Sequence, residues 1–431
     1  MDNIRNKLKY FFDNYLIFII ILFGFLTLIA YSITALQSNT TSGVIYRGVL
    51  AGVAGILFIL GIFTYRYKPP LYLIIGCGLY VVSNILTIFV APIIKDVSIP
   101  AMQTLQGIGI VLTNAITVFI FYWMMKFYNP DKKLLNIASI IMVAFGLFLA
   151  IYSYITEWQD IINTFTKVDG WNYDVTSIFK MKTEYGYMLF ICSLFAIVLA
   201  INNKKYWLYI LPIFFLINMF ISRSKTSILC TSLILICLLI YHVHNSWNKY
   251  KKRWIISFSI IGVILVTLLI LTICKVGIFN DFNHYITQTI FNDAKVVLED
   301  RFYKWGKLFK AVDTPLTVIC GCGERIANSI LSSCGCATVG DSIYVSNYGV
   351  GGIIKFTLYL AFAVIVIIYN FKSSKSSWAR FIYITIEISI MIGGLFEDDN
   401  IIGMTYNSLF PSIFFYMTNK VFLLEDKEKM A

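Results

Sequence analysis

Twelve mostly apolar stretches, each near the length that crosses a bilayer, limit what this chain can fold into more than any other feature. A spanning helix needs about 20 such residues. The runs 15–36, 44–64, 71–93, 102–123, 134–154, 186–201, 206–221, 226–242, 255–273, 351–369, 381–395 and 401–419 meet that description, the sixth, seventh and eleventh being short enough to suggest tilted or broken helices. Of the 431 residues, 58% are hydrophobic and 13% charged, and the mean hydropathy is +0.76. Soluble domains are nearer half apolar and a quarter charged, so a soluble protein of this size could not hide so much apolar surface. The expected class is an all-α polytopic membrane protein with about 12 transmembrane helices. Most stretches are apolar on every face, so periodicity does not separate lipid-facing from buried sides.

The formal net charge of +12 could suggest nucleic acid, but Lys and Arg also accumulate in cytoplasmic loops and set orientation. Their placement here follows that rule. The first run follows "NIRNKLKY" and has no small-residue cleavage site, so no signal peptide is expected and the N-terminus is placed inside. Alternate connections then carry Arg66 and Lys68; Lys126, Lys132 and Lys133; Lys204 and Lys205; Lys249, Lys251, Lys252 and Arg253; Lys372, Lys375 and Arg380; and finally Lys420, Lys427 and Lys429. The intervening connections hold little: "QSNTTSG" has no charge, and Lys95 is followed by Asp96. The resulting plan has both termini cytoplasmic, nine spans over 1–273 with an outer loop at 155–185, an outer loop domain over 274–350, and three spans plus a tail over 351–431. The two halves show no internal repeat, which weighs against transporter folds built on repeats.

Against that plan some cations stand on the outer side. "SRSKTS" places Arg223 and Lys225 at the start of a central span, beside Ser222, Ser224 and Ser227. Helix N-termini present free N–H groups and partial positive charge, which favour anions, and arginine grips phosphate with a two-pronged fork. Arg47, about one turn inside the outer end of the second span, is costly there unless it faces a polar cavity. The same residues could instead snorkel to lipid headgroups. In the long outer loop, Leu298, Phe302, Trp305, Phe309 and Val312 recur at helical spacing, which predicts one narrow apolar stripe with Arg301 at its border and Lys304, Lys307 and Lys310 stepping away. Such a helix would lie on the membrane or roof a cavity with Arg301 turned inward.

Arg301, Trp305, Pro315 and Gly321-x-Gly323 resemble the R…W…P…G-x-G signature in the main periplasmic loop of the O-antigen polymerase/ligase family. "SRSKTS" resembles a stretch opening a central span in that family, and "DSIYVSNYGVGGI", from Asp341, resembles the segment leading out of the loop. The resemblance implies a bacterial inner-membrane glycosyltransferase acting at the periplasmic face on an oligosaccharide carried by undecaprenyl diphosphate. It also implies a separate chain-length regulator as partner. No metal or organic cofactor is expected, because fixed cations can stabilise charge developing on a diphosphate leaving group. Arg223 and Arg301 are the expected catalytic cations, with Arg47, Lys225, Lys304, Trp305, Arg325 and Tyr344 as expected substrate contacts. The acceptor hydroxyl needs a base. Asp341 is one candidate and Glu397, in "FEDDN" with Asp398 and Asp399, another, although such an acidic run is more often solvated.

The ligase branch typically has His where this chain has Asp341, and Asn at Ser342. His242 and His244 fall at a cytoplasmic helix end and His284 precedes Arg301, so the pattern favours the polymerase branch. The rivals are the ligase itself and a lipid-linked oligosaccharide flippase, which the long outer domain disfavours. Cys77, Cys192, Cys230, Cys237 and Cys274 read as apolar fillers. Two "CGC" motifs, Cys320/Cys322 and Cys334/Cys336, read as disulfide candidates outside the cytosol, with the pairing open.

Overall fold

The computed structural model describes residues 2–32, 41–66, 68–166, 174–274, 293–323, 327, 342–374, 376–396, 401–403 and 405–423. Among these there is no strand, and eight helices are long and apolar enough to cross a membrane. The chain is an all-α polytopic membrane protein. The eight helices take up nine of the expected stretches, because the eighth and ninth lie within one helical segment. The second stretch lies within the 25-residue helix Thr41–Tyr65, the seventh gives the shorter apolar helix Tyr206–Ile221, and the twelfth falls on Tyr406–Tyr416.

In chain order the helices are α1 (Asp2–Ser32), α2 (Thr41–Tyr65), α3 (Leu71–Ile94), α4 (Ala101–Phe127), α5 (Lys132–Thr156), α6 (Trp158–Thr166) and α7 (Lys182–Asn202). After a short 3-10 turn come α8 (Ile210–Ile221), α9 (Lys225–Ile273), α10 (Asp293–Ala311), α11 (Pro315–Cys320), α12 (Ile343–Ser373), α13 (Ser377–Phe396), α14 (Tyr406–Tyr416) and α15 (Thr418–Val421). The basic segment Lys249–Arg253, expected as a connection, holds a break: at Tyr250 (φ −128°, ψ 23°) the backbone leaves helical geometry, and α9 is two helices that meet across that kink. Lysine and arginine are good helix formers, so the residues on either side of Tyr250 stay helical and the connection is a kink rather than an open loop.

The contacts divide the chain into two compact units. The first comprises residues 1–140, 201–204 and 301–431. Here α1 packs along α14, closely enough that a side chain at Gly24 would overlap the Phe410 ring, and Phe121 of α4 stacks on Tyr416 at 4.7 Å. Some polar groups buried in this unit are answered locally. Glu387 of α13, fully buried, accepts hydrogen bonds from Asn370 Nδ2 and Thr418 Oγ1, each at 2.8 Å. The Lys420 ammonium donates to the carbonyls of Met124, which also accepts from Tyr128 N, and of Tyr128 at the end of α4.

The second unit comprises 141–200 and 205–300. Its centre is α7, buried along nearly its whole length; Gly146 of α5 admits Cys192 and Phe215, and Gly186 of α7 admits Ser224. Glu157 accepts from Thr176 N (3.1 Å), Thr176 Oγ1 (3.0 Å) and Ser177 N (2.9 Å), which folds the following loop back on the end of α5.

Candidate functional site

In the first unit, the motif residues of the long loop converge on a break in α12. Thr314 caps α11 and Pro315 occupies its first turn, where no backbone N–H is needed; Thr314 and Thr317 exchange side chain-to-backbone bonds at 3.2 and 3.1 Å. The helix lasts only to Cys320, whose carbonyl accepts from Thr87 Oγ1 of α3 at 3.0 Å. Gly321 then turns at φ 77°, ψ −167°, and α12 is kinked at Gly352 with φ 62°, ψ −161°. That backbone region is open essentially to glycine alone. The two glycines interlock: a Cβ on Gly321 would overlap the carbonyl of Val350, and a Cβ on Gly352 would overlap that of Ile319. Between them, Cys322 N donates to Gly349 O and Gly323 N to Val350 O, both at 2.8 Å. The G-x-G motif therefore serves as a backbone clasp on "YGVGG".

The same clasp seats α10. Leu308, Ala311 and Val312 are buried in a cluster with Ile88, Ala91, Val111, Cys322 and Val350, and Leu308 fills the space a side chain at Gly349 would need. An ion pair between Lys95 and Asp313 (2.5 Å) pins the end of α10 to the end of α3 and holds the Asp313 carboxyl below its ordinary range. The inward face of α10 reads Arg301, Lys304, Trp305, Leu308, Ala311 and Val312, all buried or half-buried. This corrects the expected apolar stripe. Phe302 and Phe309 are exposed (61% and 50%), and Lys304 lies on the inward face rather than stepping away. Trp305 Nε1 is a buried donor that meets no acceptor among the described residues. Arg301, Lys304 and Trp305 thus share one face, starting about 10 Å of helix rise before Leu308. Tyr344 is half-buried at the start of α12; its hydroxyl donates to Met391 O at 2.8 Å, tying α12 to α13.

Beside the kink, α12, α3 and α4 line a half-open pocket of about 270 Å³. Lys355 lines it, nearly buried, with its ammonium 5.8 Å from the centre of the Tyr80 ring. Asn114 Nδ2 donates to the Tyr80 hydroxyl at 3.2 Å, and Asn347 also lines the cavity. Sequence reasoning missed Lys355 because it sits inside a stretch read only as a span. A single lysine in "GGIIKFTLYL" was the available signal, since an ionisable residue within a span needs a reason to be there.

In the second unit, Arg223 closes α8. Arg223 N donates to Phe220 O and Ser224 N to Met219 O, both at 3.1 Å, the paired bonds that end a helix in a left-handed residue. Glycine usually takes that position, yet here it is arginine at φ 59°. The protein tolerates this elsewhere, at Arg66, Asp96 and Lys204, but those residues are exposed while Arg223 is only 6% exposed. Ser224 leads directly into α9 and turns its hydroxyl to Ser227 Oγ (2.9 Å), making no side-chain cap on the first turn. A buried guanidinium held beside an uncapped helix start, with half-buried Lys225 next to it, is well suited to an anion.

Asp341, Glu397, Asp398, Asp399, Arg325, Cys334, Cys336 and His284 lie outside the described residues, as does the side chain of Arg47 on α2. Cys320 and Cys322 are both buried and the structure records no disulfide at either. His242 is satisfied locally by the Tyr209 hydroxyl, 2.9 Å from Nε2. No family model, no curated protein and no solved structure matches the chain.

Proposed function

We propose that this protein is an inner-membrane glycosyltransferase that polymerises undecaprenyl-diphosphate-linked repeat units of O-antigen or capsule at the periplasmic face. The observation that carries the reading is the clasp of Gly321-x-Gly323 on Gly349–Gly352. It joins two motifs of the family resemblance that are far apart in sequence, and it seats the helix whose inward face bears Arg301, Lys304 and Trp305.

In this reading a hydroxyl at the non-reducing end of the incoming lipid-linked unit attacks the anomeric carbon of the growing chain. The bond to the diphosphate breaks and undecaprenyl diphosphate leaves. Charge grows on the departing diphosphate, where Arg301 and Lys304 act as fixed cations; a missing donor of this kind costs about 100- to 1,000-fold in rate. Arg223 and Lys225 supply a second cationic group, suited to a lipid diphosphate. Trp305 offers a ring to a sugar and an N–H to its hydroxyls. Asp341 or Glu397 is the base that takes the acceptor proton. A chain-length regulator is the expected partner protein.

The test is complementation of a polymerase-null strain with wild type, Arg223→Ala and Arg301→Ala at matched expression, read as the surface-polysaccharide ladder. Both variants are expected to leave a single repeat unit on the lipid core. A normal ladder from both refutes the assignment, and loss of every repeat unit from the surface points to a flippase instead.

A further inference from the structure

We propose that Glu387 is a proton-binding site that latches the C-terminal segment 418–423: its carboxyl stays a neutral acid while the segment is seated, and loss of the proton releases it. Glu387 and Asn370 are both fully buried. The amide nitrogen of Asn370 donates to Glu387 Oε1 (2.8 Å) and to Phe415 O (3.0 Å), which fixes the way the amide points. That leaves two buried acceptors, Glu387 Oε2 and Asn370 Oδ1, with no hydrogen-bond partner among the described residues. One proton on Oε2 answers both, because a carboxylic acid and an amide pair through two bonds, N–H to O=C and O–H to O=C. The structure shows the first bond, and the second requires the proton. No ion pair reaches Glu387 among the described residues. The charged groups on the elements packed against it are engaged elsewhere or exposed. Arg380 donates to Ser374 O at 2.9 Å, Lys420 to the carbonyls of Met124 and Tyr128, Lys355 lies beside the Tyr80 ring, and Lys372 is exposed. The Tyr383 and Tyr416 hydroxyls donate to Phe422 O and Ile401 O, while Tyr359 and Tyr369 meet Tyr344 and Lys126. A carboxylate buried without a cation is costly, and such a group sheds its charge by keeping its proton.

What the proton holds in place is the segment that follows α14. Met417, Thr418, Val421 and Phe422 are fully buried. Its polar groups are tied to the ends of several helices. Lys420 reaches α4, and Asn419 Nδ2 donates to Ser373 Oγ of α12. Val421 O and Leu423 N pair with the Asn202 side chain at the end of α7, at 3.0 and 3.1 Å. Tyr383 of α13 donates to Phe422 O at 2.9 Å, and Thr418 Oγ1 donates to Glu387 Oε1 at 2.8 Å. Thr418 is thus the part of the segment that covers the carboxyl. A charged Glu387 needs water, and water reaches it only when that cover lifts. The sign follows from linkage: the seated form holds the proton more tightly than the open form, so rising pH loosens the segment. Above the ordinary carboxyl range the seated population falls by up to about tenfold per pH unit, until the seated carboxyl itself ionises. Lys420 acts in the opposite sense, because the seated form holds its proton less tightly. The inference rests on α12 to α15 and does not depend on the chain transferring sugars.

The test uses the full-length protein, purified in an uncharged detergent, as wild type and as Glu387→Gln. Infrared spectra of protein carrying isotope-labelled glutamate follow the C=O band of a protonated carboxyl from pH 5 to 9. A band that persists above the ordinary carboxyl range in wild type, and is absent from Glu387→Gln, is expected. Hydrogen exchange of residues 417–423 is then compared between the two proteins at each pH, so that intrinsic exchange and the titration of Lys420 cancel. Protection in wild type relative to Glu387→Gln should fall by about 10-fold or more between pH 5 and pH 8. Glu387→Gln should also melt at or above wild type at pH 8, because its amide supplies the N–H in place of the acid's proton. Absence of the band in folded wild type, or a protection ratio that stays constant with pH, overturns the inference. So does a Glu387→Gln protein that cannot fold, since an amide reproduces the bonds of the neutral acid. Tightening of the segment by sodium chloride over choline chloride at fixed pH overturns it as well, making Glu387 a carboxylate that holds a metal cation. Arg301→Ala is expected to keep the wild-type pH response, which separates this result from failure of the polymerase reading.

Discussion

Replacing Gly321 or Gly352 by alanine tests whether the loop clasp is the joint that holds the candidate site. Both residues adopt φ and ψ values that are essentially restricted to glycine, at about 1–3 kcal/mol for any other residue. In both, the added Cβ would strike backbone rather than the end of a flexible side chain: the Val350 carbonyl from Gly321, the Ile319 carbonyl from Gly352. Overpacking of that kind adds about 1–3 kcal/mol. Each substitution should therefore cost about 2–6 kcal/mol, partly as lost docking of α10 and α11 on α12. For a chain of this length that is a fall of roughly 2–7 °C in the melting temperature, read by intrinsic fluorescence in detergent. Gly78→Ala is the matched control: it lies within α3, and nothing stands within 4 Å of its Cβ position. Alanine is a better helix former by about 0.5–1 kcal/mol, so the control should melt at or slightly above wild type. If Gly321→Ala and Gly352→Ala melt together with Gly78→Ala, the interlock does not exist and the seating of α10 derived from it is wrong.

Two further predictions follow from individual residues. Arg223→Gly should be more stable than Arg223→Ala by about 1 kcal/mol, since glycine relieves the left-handed strain that alanine retains, yet both should lose polymer equally. Equal melting of the two variants would show that the turn is not held as described. Burial pushes the Lys420 ammonium down from its ordinary value to about 8. The folded state then releases this proton more readily than the unfolded state, so stability rises as pH increases from about 8 toward the ordinary lysine value and is lost as pH falls through 8. Melting temperature over pH 7.5–9.5 should accordingly climb less in Lys420→Met than in wild type, and identical slopes would contradict the burial.

How far the sequence disclosed this protein depends on which force shaped each part. The apolar runs were legible because crossing a bilayer forces a continuous hydrogen-bonded helix on any such stretch. Where charge interrupts, the connection is shorter than an open loop: Lys249–Arg253 is helical on either side of a break at Tyr250, so the eighth and ninth stretches meet at a kink. Periodicity misplaced the face of α10, since aromatic residues such as Phe302 and Phe309 can face outward beside a membrane as comfortably as inward. Arg223 could be singled out because its charge and serine neighbours stood at the mouth of a span. Lys355 gave only one letter of warning, and its cavity exists only once α3, α4 and α12 meet. The glycine motifs were visible separately as "GCG" and "YGVGG". That one clasps the other is a long-range backbone contact for which no local pattern provides a signal.

The most direct measurement of the central claim uses the purified protein in proteoliposomes, supplied with a lipid-linked repeat unit and no other enzyme. The account predicts a ladder of lengthened lipid-linked chains, with one undecaprenyl diphosphate released per unit added, and its loss in Arg301→Ala. Lipid-linked units that never lengthen, or that only cross the bilayer unchanged, would contradict it.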